Sequence, residues 1–170
     1  GEEVAYQLIN GFRVQNDLFP IELRGVSAKS KDKKRKVDLS AVPFFDDAVS
    51  MTASDDIDVI VELIGGDSGV AYDVCFSALN NKKALITANK ALIALHGDEV
   101  FSAAEQAGVS VHYEAAVAGG IPIIKSIREG LAGNSIEWVA GIINGTTNFI
   151  LTEMSRAGSN RSFDASYYSP

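Results

Sequence analysis

A doubly wound α/β fold with a parallel sheet is predicted by three features of this sequence. Short, largely apolar, β-branched runs alternate with segments of helical periodicity. The connections between successive runs are too long for hairpins and suit crossover helices. Glycine and helix-capping residues punctuate the junctions. Sheets of this class bind ligands outside the carboxyl ends of their strands, so functional residues are sought in the loop after each strand.

Val4, Ala5, Leu8, Ile9 and Phe12 recur at helical spacing, predicting an amphipathic helix over residues 2–13. Residues 20–28 (PIELRGVSA) form a short strand that runs into a basic loop. Residues 57–64 (IDVIVELI) carry the pattern of a strand covered on both faces, and the chain then turns at Gly65, Gly66 and Gly69. The next helix aligns Ala71, Val74, Cys75, Ala78 and Leu79 on one stripe, which makes Cys75 a core residue rather than a reactive thiol. Residues 84–87 are a second buried strand, ending at Ala88-Asn89-Lys90.

A helix with Val100, Phe101, Ala104 and Ala107 follows and closes at Gly108; residues 109–116 (VSVHYEAA) are the next strand. Pro122 opens a helix whose apolar face is Ile123, Ile124, Ile127 and Leu131. Residues 136–143 read as a strand, 144–148 as a turn with capping residues, and Ile150, Met154 and Ala157 as one face of a last helix. Residues 159–170 lose all periodicity and are expected to be disordered or foreign to the fold.

The chain has 170 residues and 46% of them are apolar, enough for one sizeable core and the start of another. No uninterrupted apolar stretch is long enough for a membrane span, and the N-terminus has no basic-then-apolar pattern, so neither membrane insertion nor a signal peptide is expected. A net charge of −7 argues against nucleic acid. One cysteine excludes an internal disulfide framework and points to the cytoplasm. The only strongly basic segment is Lys29, Lys31, Lys33, Lys34, Arg35 and Lys36, interrupted by Asp32; its plain reading is a solvated loop.

Dinucleotide-binding domains open with a strand and a G-x-G-x-x-G turn, whereas this sequence opens at Gly1 and goes directly into a helix. Gly1 as the last glycine of that turn would make the domain incomplete. Four segments carry a resemblance: 61–66 (VELIGG), 87–94 (TANKALIA), 114–124 (EAAVAGGIPII) and 141–151 (GIINGTTNFIL). In order and spacing they resemble homoserine dehydrogenase, over roughly residues 1–158. The resemblance implies a Rossmann-like NAD(P)-binding domain at 1–118, lacking its first strand, and the beginning of a second, α+β catalytic and dimerisation domain at 119–158. It also implies reduction of aspartate 4-semialdehyde to homoserine by a nicotinamide cofactor, on a path to threonine and methionine, in a homo-oligomer.

Lys90 matches the lysine of the family's T-x-N-K segment and is the candidate catalytic residue; it follows a buried strand, where nicotinamide and aldehyde should meet, and its ammonium can stabilise charge on the carbonyl oxygen. Its plain reading is a surface lysine at a helix start, where the dipole disfavours it. Asn89 and Thr87 are expected to shape the turn. Gly1, Lys29, Gly65, Gly66 and Lys90 are the candidate cofactor contacts. No acid stands after the strand ending at Ala28, and Lys29 fits a family arginine near the 2′-phosphate, which favours NADPH over NADH.

The resemblance further implies a structural sodium ion held by Glu114 and the carbonyls of Val117, Gly119 and Ile121, a hard-oxygen donor set; the plain alternative is a glycine-rich crossing between domains. His96 and His112 lack a nucleophile or ligand pattern and are expected to be structural. The family next brings a glutamate, an aspartate and a proton-donating lysine to the substrate, but residues 162–170 do not match that stretch, and Asp164 does not replace those carboxylates. The chain by itself is therefore expected to have little activity. A different Rossmann-fold oxidoreductase, or a nucleotide-binding module without catalysis, are the competing classes.

Overall fold

The fold is known from a computed structural model that describes residues 4–5, 21–119 and 121–138. The chain divides into two compact units, Gly1–Leu131 and Ala132–Pro170. Every element below lies in the first. Of the second, residues 132–138 are described and form neither helix nor strand. Gly1, the expected helix over 2–13 apart from residues 4–5, most of the strand expected over 136–143, and everything from 144 to 170 lie outside the described residues.

The described residues form two parallel sheets. In the first, β1 (Val26–Ser27) pairs with β2 (Phe44–Phe45). In the second, β3 (Val59–Glu62), β4 (Ala84–Thr87) and β5 (Val111–His112) lie in sequence order. The register sets Glu62 opposite Thr87 and Ile60 opposite Leu85, so alternate residues of β3 and β4 share a face.

The helices are α1 (Ala48–Met51), α2 (Val70–Asn80), α3 (Lys90–Ala107) and α4 (Ile123–Lys125), the last continuing into a π turn over Ser126–Gly130. The expected stripe of α2 is borne out: Ala71, Val74, Cys75, Ala78 and Leu79 are all buried. The helix packs on β3 and β4 and against α3, and Val74, Cys75, Ala78 and Leu79 share one core with Ile60, Leu85, Leu92, Val100, Ala104 and Val111. Leu79 and Leu85 are wholly enclosed, and burying each contributes about 2 kcal/mol. Gly108 ends α3 at φ 69°, in the left-handed conformation that glycine adopts without a Cβ clash. Among the described residues no helix is long and apolar enough to cross a membrane.

Several expectations are corrected. The strand expected over 20–28 is two residues long, and its partner β2 had no periodic signal because two residues cannot show one. Among the described residues β3 is covered unequally on its two faces: Ile60 and Glu62 are buried, whereas Val61 is half-buried and Val59 45% exposed. β4 likewise buries Leu85 and Thr87 and leaves Ile86 exposed. The strand expected over 109–116 stops at His112, and Glu114–Ala116 is a 3₁₀ turn. After Pro122 the backbone makes one short α segment and a π turn, with Leu131 exposed instead of facing a core.

Candidate functional site

At the carboxyl ends of β3 and β4 the chain makes two turns, over residues 63–69 and 88–89. Gly65 and Gly66 in the first have φ of 82° and 89°, a left-handed region that side-chain-bearing residues rarely enter. A Cβ placed on either glycine would touch nothing within 4 Å, so the backbone here is open to approach from outside. An open, side-chain-free backbone at strand ends suits a bulky planar or phosphorylated ligand.

The second turn leads into α3. Asn89 is its N-cap, accepting from the Leu92 N–H at 3.1 Å through Oδ1, and its Nδ2 donates to the Gly66 carbonyl at 2.6 Å. One side chain thus starts the helix and holds the glycine turn. Lys90 is the first residue of α3 and is exposed. It makes no ion pair with any described residue, and no acid stands in the first turn to offset its charge against the helix dipole. A cation kept there at a local cost, beside an open backbone, has the placement expected of a ligand-binding charge. Gly65, Gly66 and Lys90 are brought together in this way.

Beneath them lies a residue the sequence reading did not single out. Glu62 ends β3 and is 1% exposed. Its Oε1 accepts from the N–H groups of Ile64 at 2.6 Å and Gly65 at 3.0 Å, and its Oε2 accepts from the Thr87 hydroxyl at 2.6 Å. Thr87 Oγ1 in turn accepts from the Asn89 N–H at 3.0 Å. Thr87 and Asn89 therefore do shape the turn, as expected. The available signal was alternation: Glu62 shares the face of Ile60, which is buried, so a carboxylate there has to find donors inside the protein.

Lys29 stands exposed just past the end of β1, on the other sheet. The basic loop after it is more structured than a solvated run. The Arg35 guanidinium donates to the carbonyls of Ser30, Lys31 and Lys33, and Arg35 and Lys31 lie 5.8 and 5.5 Å from the centre of the Phe44 ring. Lys31, Lys33, Lys34 and Lys36 are exposed, as expected.

Glu114 has a definite role. Its Oε1 and Oε2 accept from the Ile124 and Lys125 N–H groups at 2.9 and 2.8 Å, so the carboxylate caps the first turn of α4 from ten residues upstream. The connecting loop passes through Ala118 and Gly119 with φ of 53° and 62°. The Ile121 carbonyl accepts from the Ile123 N–H at 2.8 Å. Among the described residues no group of three or more His, Cys, Asp or Glu side chains converges on a point.

The histidines stand apart from both turns. His96 sits at a kink in α3 and meets Glu99 at 2.9 Å, and Glu99 also accepts from the Tyr72 hydroxyl. Hydrogen bonds from His96 and Tyr72 hold the Glu99 carboxyl below its usual value. Among the described residues His112 meets the Ser110 hydroxyl, at 3.1 Å. Cys75 is wholly buried; burial, and secondarily the charge of Glu62, push its thiol up to about 12.

Residues 3–114 match the family model for the NAD binding domain of homoserine dehydrogenase, and residues 122–166 match a second model described as homoserine dehydrogenase. The homoserine dehydrogenase of Pseudomonas aeruginosa is 51% identical over 138 residues, which is 81% of this chain and 31% of that protein. That of Neisseria gonorrhoeae is 50% identical over 82% of this chain and 32% of its own length. Among solved structures, a homoserine dehydrogenase from Thiobacillus denitrificans superposes with a TM-score of 0.68 and 46% identity, over 78% of this chain and 30% of that one. A hyperthermophilic archaeal homoserine dehydrogenase in complex with NADPH superposes with a TM-score of 0.58 and 29% identity, over 69% of this chain and 36% of that one. The chain spans about a third of the length of the curated relatives it matches.

Proposed function

The chain belongs to the homoserine dehydrogenase family, and on that footing we propose that the full-length protein reduces aspartate 4-semialdehyde to L-homoserine with a nicotinamide cofactor, on the route to threonine and methionine. The observation that carries the proposal is the placement of Lys90: a cation exposed at the start of α3 and joined through Asn89 to the open Gly65-Gly66 backbone. The reduced cofactor, when bound, supplies a hydride to the aldehyde carbon. Gly65 and Gly66 let it approach the strand ends. The Lys90 ammonium stabilises the negative charge that develops on the carbonyl oxygen, and that oxygen ends the reaction as a hydroxyl after taking up a proton.

The residues at these strand ends fit such a cofactor, because the backbone at Gly65 and Gly66 has no side chain of its own in the way. We assign the phosphate end to Gly1 and the turn it would close, and the 2′-phosphate of NADPH to Lys29, whose ammonium is exposed with no described ion-pair partner. NADPH is therefore the preferred cofactor and NADH the weaker one. The family matches at 3–114 and 122–166 support assigning 1–118 to cofactor binding and the residues from 119 on to the start of the substrate side, the second match running to residue 166, past the expected end at 158.

A structural sodium ion at Glu114, Val117, Gly119 and Ile121 is compatible with the cap on α4. Each Glu114 oxygen and the Ile121 carbonyl retain a second lone pair after the one hydrogen bond each accepts, and the donors are the hard oxygens sodium takes. We place the reaction in the cytoplasm, where a free cysteine such as Cys75 persists, and the full-length enzyme in a homo-oligomer, as the family resemblance implies. Cofactor oxidation on addition of aspartate 4-semialdehyde tests the reaction. No oxidation with either nucleotide, while a related aldehyde is reduced, would reassign the substrate. Replacing sodium by choline tests the ion through the melting temperature, and light scattering tests the assembly.

A further inference from the structure

We propose that Glu62 is a positioning residue for the cofactor edge: its buried carboxylate locks the Gly65-Gly66 turn to the Asn89-Lys90 turn so that both present one preformed surface. This rests on the reading that the edge meets the nicotinamide cofactor. Five hydrogen bonds carry it, from Ile64, Gly65 and Thr87 to Glu62, from Asn89 N–H to Thr87, and from the Asn89 side chain to Gly66. Together they close a ring that runs from β3 through its turn, across to the second turn, and back through β4.

The chemistry explains why an acid stands there. All three groups facing the side chain are donors, and a carboxylate is the side chain that accepts on both oxygens without presenting a hydrogen of its own. An amide in its place would turn an N–H₂ group toward Thr87, whose hydroxyl then has to reverse and leave its own hydrogen without this acceptor. Glu62 is almost wholly buried and makes no ion pair with a described residue. Backbone and hydroxyl dipoles stabilise it in place of a counter-ion, an arrangement that is costly to form and leaves little freedom to the groups involved. The core needs no charge at this strand end, since Ile60 on the same face is satisfied by packing alone. What the charge adds is a fixed conformation for two turns that share no strand.

The experiment compares Glu62→Gln, Thr87→Val and Thr87→Ser with the unsubstituted full-length protein, by amide hydrogen exchange without nucleotide and by titration with NADPH and NADH. Glu62→Gln is expected to accelerate exchange at Ile64, Gly65 and Asn89 together. It is also expected to weaken cofactor binding roughly tenfold, raising the cofactor KM more than it lowers kcat. Thr87→Val should reproduce this loss and Thr87→Ser recover most of it, because only the hydroxyl relays between Glu62 and Asn89. Wild-type exchange and affinity in Glu62→Gln overturn the proposal. So does a Thr87→Ser variant as impaired as Thr87→Val, which would mark the position as a packing site. If the unsubstituted protein binds neither nucleotide, the cofactor reading fails and the positioning role fails with it, whereas coupled exchange of the two turns still reports the ring.

Discussion

Glu62 and Thr87 lie directly opposite each other in the β3–β4 register, and the threonine hydroxyl donates to the carboxylate at 2.6 Å. Both side chains are buried. The two strand ends are therefore tied together from within, while the groups that could meet a ligand, the Gly65-Gly66 backbone and the Lys90 side chain, remain outside. Separating support from contact in this way makes the exposed residues testable with little risk to the fold.

Lys90→Met keeps the length of the side chain and removes its charge. Its exposed position at a helix start predicts a change in stability within about 0.5 kcal/mol. Activity of the full-length protein is expected to fall by roughly 10² to 10³ in kcat/KM, the scale of losing one charge-stabilising donor. Steady-state kinetics alongside thermal melting measure both, and wild-type turnover would remove Lys90 from the reaction.

Lys29→Ala addresses cofactor choice. An ammonium that meets only the 2′-phosphate affects one nucleotide, so the KM for NADPH should rise roughly fivefold while that for NADH stays where it was. Equal changes for the two nucleotides would show that Lys29 does not read the phosphate.

Glu114→Ala removes the acceptor for two N–H groups at the start of α4. The expected cost is about 1–2 kcal/mol, with faster amide exchange at Ile124 and Lys125. Unchanged exchange at both amides would mean that the cap contributes nothing.

Cys75 predicts an alkaline effect. Burial first, and the charge of Glu62 second, raise its thiol from 9.0 to about 12. Between those values the unfolded chain has lost the thiol proton and the folded chain still holds it, so stability falls as pH rises, by at most about 1.4 kcal/mol per pH unit. Below pH 9 the contribution is fully present. Denaturant melts of the protein and of Cys75→Ala from pH 8 to 11 should diverge in slope above pH 9; parallel curves would contradict it. The folded protein should also resist thiol reagents at pH 8.

The elements most legible in the sequence were those with a period long enough to read. The α2 stripe from Ala71 to Leu79 and the glycine stop of α3 follow from side-chain spacing and backbone sterics, which act over a few residues and need no partner. The same holds for the parallel β3–β4 pair, since a helix-length connection leaves no other simple pairing. Two-residue strands such as β1 and β2 carry no period, and β5 was overextended because VSVHYE alternates beyond the point where its neighbour ends.

At the candidate site, the resemblance carried by segments 61–66, 87–94 and 114–124 pointed to Lys90, to the two glycines and to Glu114, where residue types by themselves left a surface lysine, a plain turn and a glycine-rich crossing as equal readings. Only the tertiary structure decided what each is joined to. Glu62 reads as one more residue of a strand until the register sets it against Thr87 and the turn folds its N–H groups back onto it. Glu114 shows no helix-capping role in the sequence until α4 brings two N–H donors to its oxygens. Local periodicity is written residue by residue, but the environment of a carboxylate depends on which distant donors reach it, and that is settled only when the strands pair and the turns close.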